Sequence, residues 1–278
     1  MALALTAAIA FALANAAASI AYRSGSNPLT VAAVRFLLPM AVLFVWLRLR
    51  SAPRKLPLLD RSLAIALGAV TAVYSWALLS AIGAIPLSLA ILIFYLFPFI
   101  ASVILALCGW QKLGWQTIAA IALAFAGLAM ALHPRGGDLD LAGVALALVG
   151  ALGLGIVIAV SSRVFGAGDS RPVTLSIAAV AGTVLIVICA AQGEFALPQT
   201  AFGWLGFAST SVFYAFAMIA FFIAISMIGP VRVSLLSYAE PVASAGLGVA
   251  LLGETLAPLQ IMGIAIVIIA LVGATLWR

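Results

Sequence analysis

Glu240 stands directly before Pro241 in the run LLSYAEPVAS, residues 235–244, inside an otherwise apolar stretch of about two dozen residues. An acid at the centre of an apolar helix costs about 2.5 to 3.5 kcal/mol on insertion scales, so its presence points to function. Such a carboxylate can receive an ammonium group or carry a proton. Pro241 removes the donor that would meet the Ser237 carbonyl, which adds a second acceptor at the same place. Other apolar stretches supply Asn15, Tyr74, Tyr95 and Tyr214, and the Glu240 stretch adds Tyr238 and Ser244. Together these residues suit a zwitterion carrying a flat apolar group. Glu240 and the Ser237 carbonyl would take its ammonium, Asn15 and the Tyr95 or Tyr238 hydroxyl its carboxylate, and Tyr74 and Tyr214 its side chain. Bond-making chemistry has less support, because the chain has one histidine, His133, at a segment end and no aspartate within a segment core. It also has no GxxxxGK[ST] phosphate loop and no metal-ligand spacing around Cys108 or Cys189. We therefore expect a binding site without cofactor or metal, and not an enzyme.

The elements that must carry these residues follow from composition. The chain is 67% hydrophobic and 7% charged, far from the roughly 25% charge of a soluble domain. Ten apolar runs have the roughly 20 residues needed to cross a bilayer: 2–22, 28–48, 62–82, 86–108, 115–133, 141–160, 173–192, 203–227, 230–253 and 257–277. None alternates as a barrel strand would, so the fold is expected to be all-α and integral to the membrane. The first run lacks a basic lead-in and is long for a signal peptide, so we expect it to be a retained helix. The net charge of +6 resides in scattered loop residues, which argues against a nucleic-acid partner and for a bilayer.

Those loop charges are uneven. With the N-terminus inside, Arg48, Arg50, Arg54, Lys55, Arg61, Lys112, Arg163, Arg171 and Arg278 share the cytoplasmic side, against Arg23 and Arg135 opposite. Lys and Arg bias sets orientation, so both termini are expected in the cytoplasm.

The Glu240 stretch also has a partner. Tyr95-x-x-Pro98 in IFYLFPFIAS, residues 93–102, matches Tyr238-x-x-Pro241. Gly109 with Gln116 matches Gly253 with Gln260 at the same spacing. Segments 4 and 5 thus correspond to 9 and 10, giving two five-helix repeats, 1–137 and 138–278. Five is an odd number of crossings, so the second repeat enters the membrane inverted. Pro98 and Pro241 fall near mid-segment and are expected to act as hinges. Segment 6 carries Gly143, Ala147, Ala151, Gly155 and Ala159 on one stripe, which reads as close helix packing.

With Glu240-Pro241, Gly253-Glu254, Gln260 and Gly263 in view, the chain resembles the EamA-type, ten-helix branch of the drug/metabolite transporter superfamily. Its size and short loops look most like the bacterial aromatic amino acid exporters of the YddG type. The resemblance implies a secondary transporter of the bacterial inner membrane that exports aromatic or large neutral amino acids by alternating access. Efflux of lipophilic cations or other small metabolites by the same fold is the alternative, since Glu240 with aromatic rings would also suit a cation. Trp110 stands where the second repeat has Glu254, so no carboxylate pair marks the two halves and we expect Glu254 to be structural. Arg35, the other charge at depth, is read as structural or as a partner of Glu240.

The charge bias yields a direct test of orientation. A cysteine placed at position 254 should react with an impermeant thiol reagent only from the outer face. Labelling only from the cytoplasmic face would refute the assignment.

Overall fold

The structure, a computed structural model, describes residues 1–49, 58–85, 87–112, 114–132, 140–165, 169–252 and 257–276. Arg50, Arg54, Lys55, Arg135, Gly253 and Arg278, which entered the orientation and repeat arguments, lie outside the described residues, as do His133 and Glu254.

Thirteen helices form ten spans among the described residues, and no strand is present among them. They are α1 (Ala2–Arg23), α2 (Pro28–Arg35), α3 (Leu37–Leu49), α4 (Leu58–Ala84), α5 (Leu87–Phe94), α6 (Phe97–Leu107) and α7 (Trp115–Leu132). The second half contributes α8 (Leu141–Phe165), α9 (Arg171–Gln192), α10 (Ala201–Ile228), α11 (Pro230–Leu236), α12 (Ala239–Leu252) and α13 (Pro258–Leu276). Large apolar side chains such as Phe44, Trp76, Phe99, Phe202, Phe216 and Ile261 remain exposed. On helices of this length and apolarity they form the surface that meets lipid. The protein is a multi-pass membrane protein.

Three spans are broken, and each break has the same sequence signature. Pairs α2/α3, α5/α6 and α11/α12 part at Phe36, at Tyr95–Leu96 and at Ser237–Tyr238. In each case an aromatic residue, Phe36, Tyr95 or Tyr238, precedes a proline by three positions: Pro39, Pro98 or Pro241. A proline inside a helix lacks a donor, and its ring pushes against the carbonyl four residues earlier. The chain responds by tightening one turn. The Leu96 amide donates to Ile93 at 3.0 Å, and the Tyr238 amide donates to Leu235 at 3.1 Å. The breaks ahead of Pro98 and Pro241 match the expected hinges in position. The break ahead of Pro39 has no counterpart in the second repeat, where α9 is continuous.

The packing order reflects a two-fold relation between the repeats. The first span (α1) lies along the eighth (α10), and the sixth (α8) lies along the third (α4). Exchanging the repeats turns one of these pairs into the other. The fifth and tenth spans, α7 and α13, pack on each other, as do the second and seventh. Glycines permit these approaches. A Cβ on Gly127 would come within 2.8 Å of the Gly263 carbonyl oxygen, and one on Gly206 within 2.8 Å of the Ala17 carbonyl oxygen. The segment-6 stripe behaves as expected: Ala147, Ala151 and Ala159 are fully buried, and a Cβ on Gly155 would meet Ile100 at 2.7 Å.

Gly263→Val should therefore force α7 and α13 apart and lower the unfolding midpoint in detergent, with a cost of about 1 to 3 kcal/mol as for other overpacked cores. Gly246→Ala, where nothing lies within 4 Å of the added carbon, should leave the midpoint unchanged. Equal midpoints for the two variants would contradict this packing.

Candidate substrate site

The site forms where breaks in two spans face the first span. The Glu240 carboxylate lies in the first turn of α12, just past the Tyr238 break. Its Oε1 accepts a hydrogen bond from Asn15 Nδ2 at 2.9 Å, joining α12 to the middle of α1. The Tyr95 hydroxyl lies close to the same carboxylate. Tyr238 completes the knot, because its hydroxyl donates to the Tyr95 carbonyl at 2.8 Å. One carboxylate thus draws together spans 1, 4 and 9.

Aromatic rings wall this polar centre. Tyr95 and Tyr238 lie 5.5 Å apart, and Tyr74 lies 6.4 Å from Phe94. On the other side Tyr214 meets Phe11 edge-on at 5.7 Å and Phe36 at 5.3 Å. Arg35, the last residue of α2, holds its guanidinium 4.3 Å from the Tyr214 ring centroid. It lies within electrostatic reach of Glu240, Tyr22, Tyr74 and Tyr214. Among the described residues, however, the ion pair is Arg171 with Asp169, and Arg35 makes no direct contact with Glu240.

Exposure changes abruptly through the site. All of α11 except Arg232 and, on the Met1 side, Ala4, Ala7, Ala8, Ala10 and Ala12 of α1 are buried. Towards the other end Asn15, Ser19, Ser244 and Gly246 are exposed, and Glu240 is half-buried. Exposed amide and carboxylate groups at mid-depth belong on a watered opening, because contact with lipid would leave them unsatisfied. Asn15, Ser19, Ser244 and Gly246 thus give the polar centre an exposed margin.

Several expected roles change. The Ser237 carbonyl is not left free by Pro241, because the tightened turn brings the Glu240 amide to it at 2.9 Å. The Ser237 hydroxyl turns back onto Val233, and its side chain is buried. Tyr238 is fully buried, with its hydroxyl committed to Tyr95. Asn15 commits one amide N–H to Glu240. Ser244 faces outward on α12. Elsewhere, Thr210 braces the frame by donating to the Ala14 carbonyl at 2.5 Å, one residue before Asn15.

Two hollows lie outside this centre. One, about 330 Å³, is lined by Trp46, Asp169, Ser170, Arg171, Ile223 and Ser226. Partial burial raises the Asp169 carboxyl, but side-chain and backbone hydrogen bonds from Arg171 outweigh it and hold the carboxyl below the usual range. The other, about 210 Å³, is an apolar recess between Leu96, Phe99, Ile118, Ile121, Ala122, Phe125 and Tyr238.

The EamA-like transporter family model matches the chain twice, over residues 1–132 and 141–276. The chain belongs to the EamA-like transporter family. Two matches within one EamA-like chain agree with the packing exchange described above. A solved structure described only as a crystal structure of protein is 20% identical, with a TM-score of 0.85 over 99% of this chain and 98% of that one. At that identity the likeness concerns the fold alone. No protein among those with curated descriptions matches the chain.

The breaks that shape the site of this EamA-like protein can be tested directly. Replacing Pro98 and Pro241 together by Ala should restore continuous hydrogen bonding, leave membrane insertion intact and slow transport. Transport rates equal to wild type would show that the breaks only serve packing.

Proposed function

We propose that this EamA-like transporter is a secondary transporter that exports aromatic or large neutral amino acids across a bacterial inner membrane by alternating access. The observation that carries this reading is the Glu240 carboxylate, oriented by Asn15 and Tyr95 at mid-depth and opening between aromatic walls. An ionised carboxylate offers about four acceptor positions, so two protein donors leave room for an ammonium group. The rings of Tyr74, Phe94 and Tyr214 give an apolar side chain a flat surface. A lipophilic cation would find the same acid and rings. It would also meet the Arg35 guanidinium in the same opening, and like charges at such depth repel strongly. Sugar phosphates want several basic residues, and Arg35 alone reaches this centre among the described residues.

With both termini in the cytoplasm, the exposed margin at Asn15, Ser19 and Ser244 lies on the outward side of Glu240. Alternating access then requires the broken spans to bend so that Glu240 also meets cytoplasmic substrate.

Proteoliposomes loaded in turn with each amino acid and with cationic dyes test this reading. Efflux should be fastest for aromatic or large neutral amino acids. Glu240→Gln preserves shape and removes charge. It should raise the half-saturating amino acid concentration by about tenfold or more, the usual loss for a hydrogen bond to a charged group, while the protein still inserts. Dye efflux without amino acid efflux would reject the reading.

A further inference from the structure

We infer that Arg35 is the carboxylate anchor of the transported molecule, so that Glu240 and Arg35 form two separated poles that select an α-amino acid over the corresponding amine. The inference rests on the amino acid reading above and assigns its second pole. It begins with the donors around Glu240. Asn15 gives one amide N–H to Glu240 at 2.9 Å, and the Tyr238 hydroxyl is spent on the Tyr95 carbonyl at 2.8 Å. Neither supplies the fork of parallel donors that a carboxylate pairs with best.

Arg35 has the opposite problem. A guanidinium carries five N–H donors in a rigid fork, and the Nε of Arg35 is buried without a partner among the described residues. The Tyr214 ring under the guanidinium at 4.3 Å and Phe36 at 5.8 Å offset part of its desolvation. Neither ring accepts an in-plane hydrogen bond. What satisfies such a fork is a planar, two-oxygen anion, the geometry of a carboxylate.

Local structure keeps the pole in place. Pro39 opposes the Arg35 carbonyl and ends α2 there, so Arg35 sits at a helix C-terminus, where unpaired carbonyls favour a cation. Glu240 is held separately by Asn15 and Tyr95. The two charges feel each other yet stay out of direct contact, because each is fixed by its own neighbours. A zwitterion bridges them by placing its ammonium on Glu240 and its carboxylate on Arg35. An amine satisfies one pole only.

The test compares phenylalanine with phenethylamine, which lacks the carboxylate, in proteoliposomes. Wild type should favour phenylalanine. Arg35→Gln should cut phenylalanine transport by about tenfold to a hundredfold, the usual loss for a hydrogen-bonded charge, and leave phenethylamine transport equal or faster. Arg35→Lys keeps the charge without the fork. It should fall between the two and serves as the second variant if Arg35→Gln does not insert. An unchanged phenylalanine-to-phenethylamine ratio in both variants, while wild type still exports phenylalanine and Glu240→Gln impairs that export, would overturn this inference and leave the amino acid reading standing. A wild-type protein that moves phenethylamine but no amino acid would overturn both.

Discussion

At the depth of the hydrocarbon, a carboxylate with neither donors nor water would be too costly to keep, and the architecture around Glu240 answers that constraint. Asn15 must stand opposite it, which fixes the rotation of α1 about its own axis. Tyr95 must reach it from the fourth span, which the break at Tyr95–Leu96 allows. Tyr238 then ties the fourth span to the ninth through the Tyr95 carbonyl. The same few bonds therefore join the two repeats at mid-depth, where either half could otherwise slide.

Around this knot the spans divide into two kinds. Continuous helices pack through glycine: α7 on α13 at Gly127 and Gly263, α1 on α10 at Gly206, and α8 on α4 and α6 at Gly143 and Gly155. Close backbone approach leaves such pairs little freedom to slide, because any shift drives side chains into carbonyls. The broken spans lack that restraint at their breaks, where one tightened turn replaces regular bonding. A frame of continuous helices with three interrupted members places its irregular turns at the depth of the charges.

Arg35 shows how one position can combine local and tertiary causes. Pro39 ends its helix, Tyr214 from the eighth span supports its charge, and Glu240 from the ninth lies in electrostatic reach. Keeping opposite charges near but unpaired is unfavourable unless each has other partners. Here the partners are an amide and a phenol on one side and an aromatic face on the other.

Much of this was legible in the amino-acid order. Span length, the absence of strand alternation and the Tyr-x-x-Pro repeat follow from local properties that a linear chain displays. So do the small-residue stripe of segment 6 and the mid-span position of Glu240. Pro39 carried the same signature at Phe36, yet without a counterpart in the second repeat it did not register as a break. Hydrogen-bond partners could not be read, because they depend on which faces of distant spans meet. Sequence placed Asn15, Tyr95 and Tyr238 on a polar stripe, and only packing turned their donors towards Glu240 and the Tyr95 carbonyl. Sequence suggested a free Ser237 carbonyl, and the tightened turn closed it with the Glu240 amide. Arg35 looked structural as an isolated charge in an apolar run. Tertiary structure set it on Tyr214 and near Glu240 with its Nε unpaired, because the environment of a buried charge is made by residues remote in the chain.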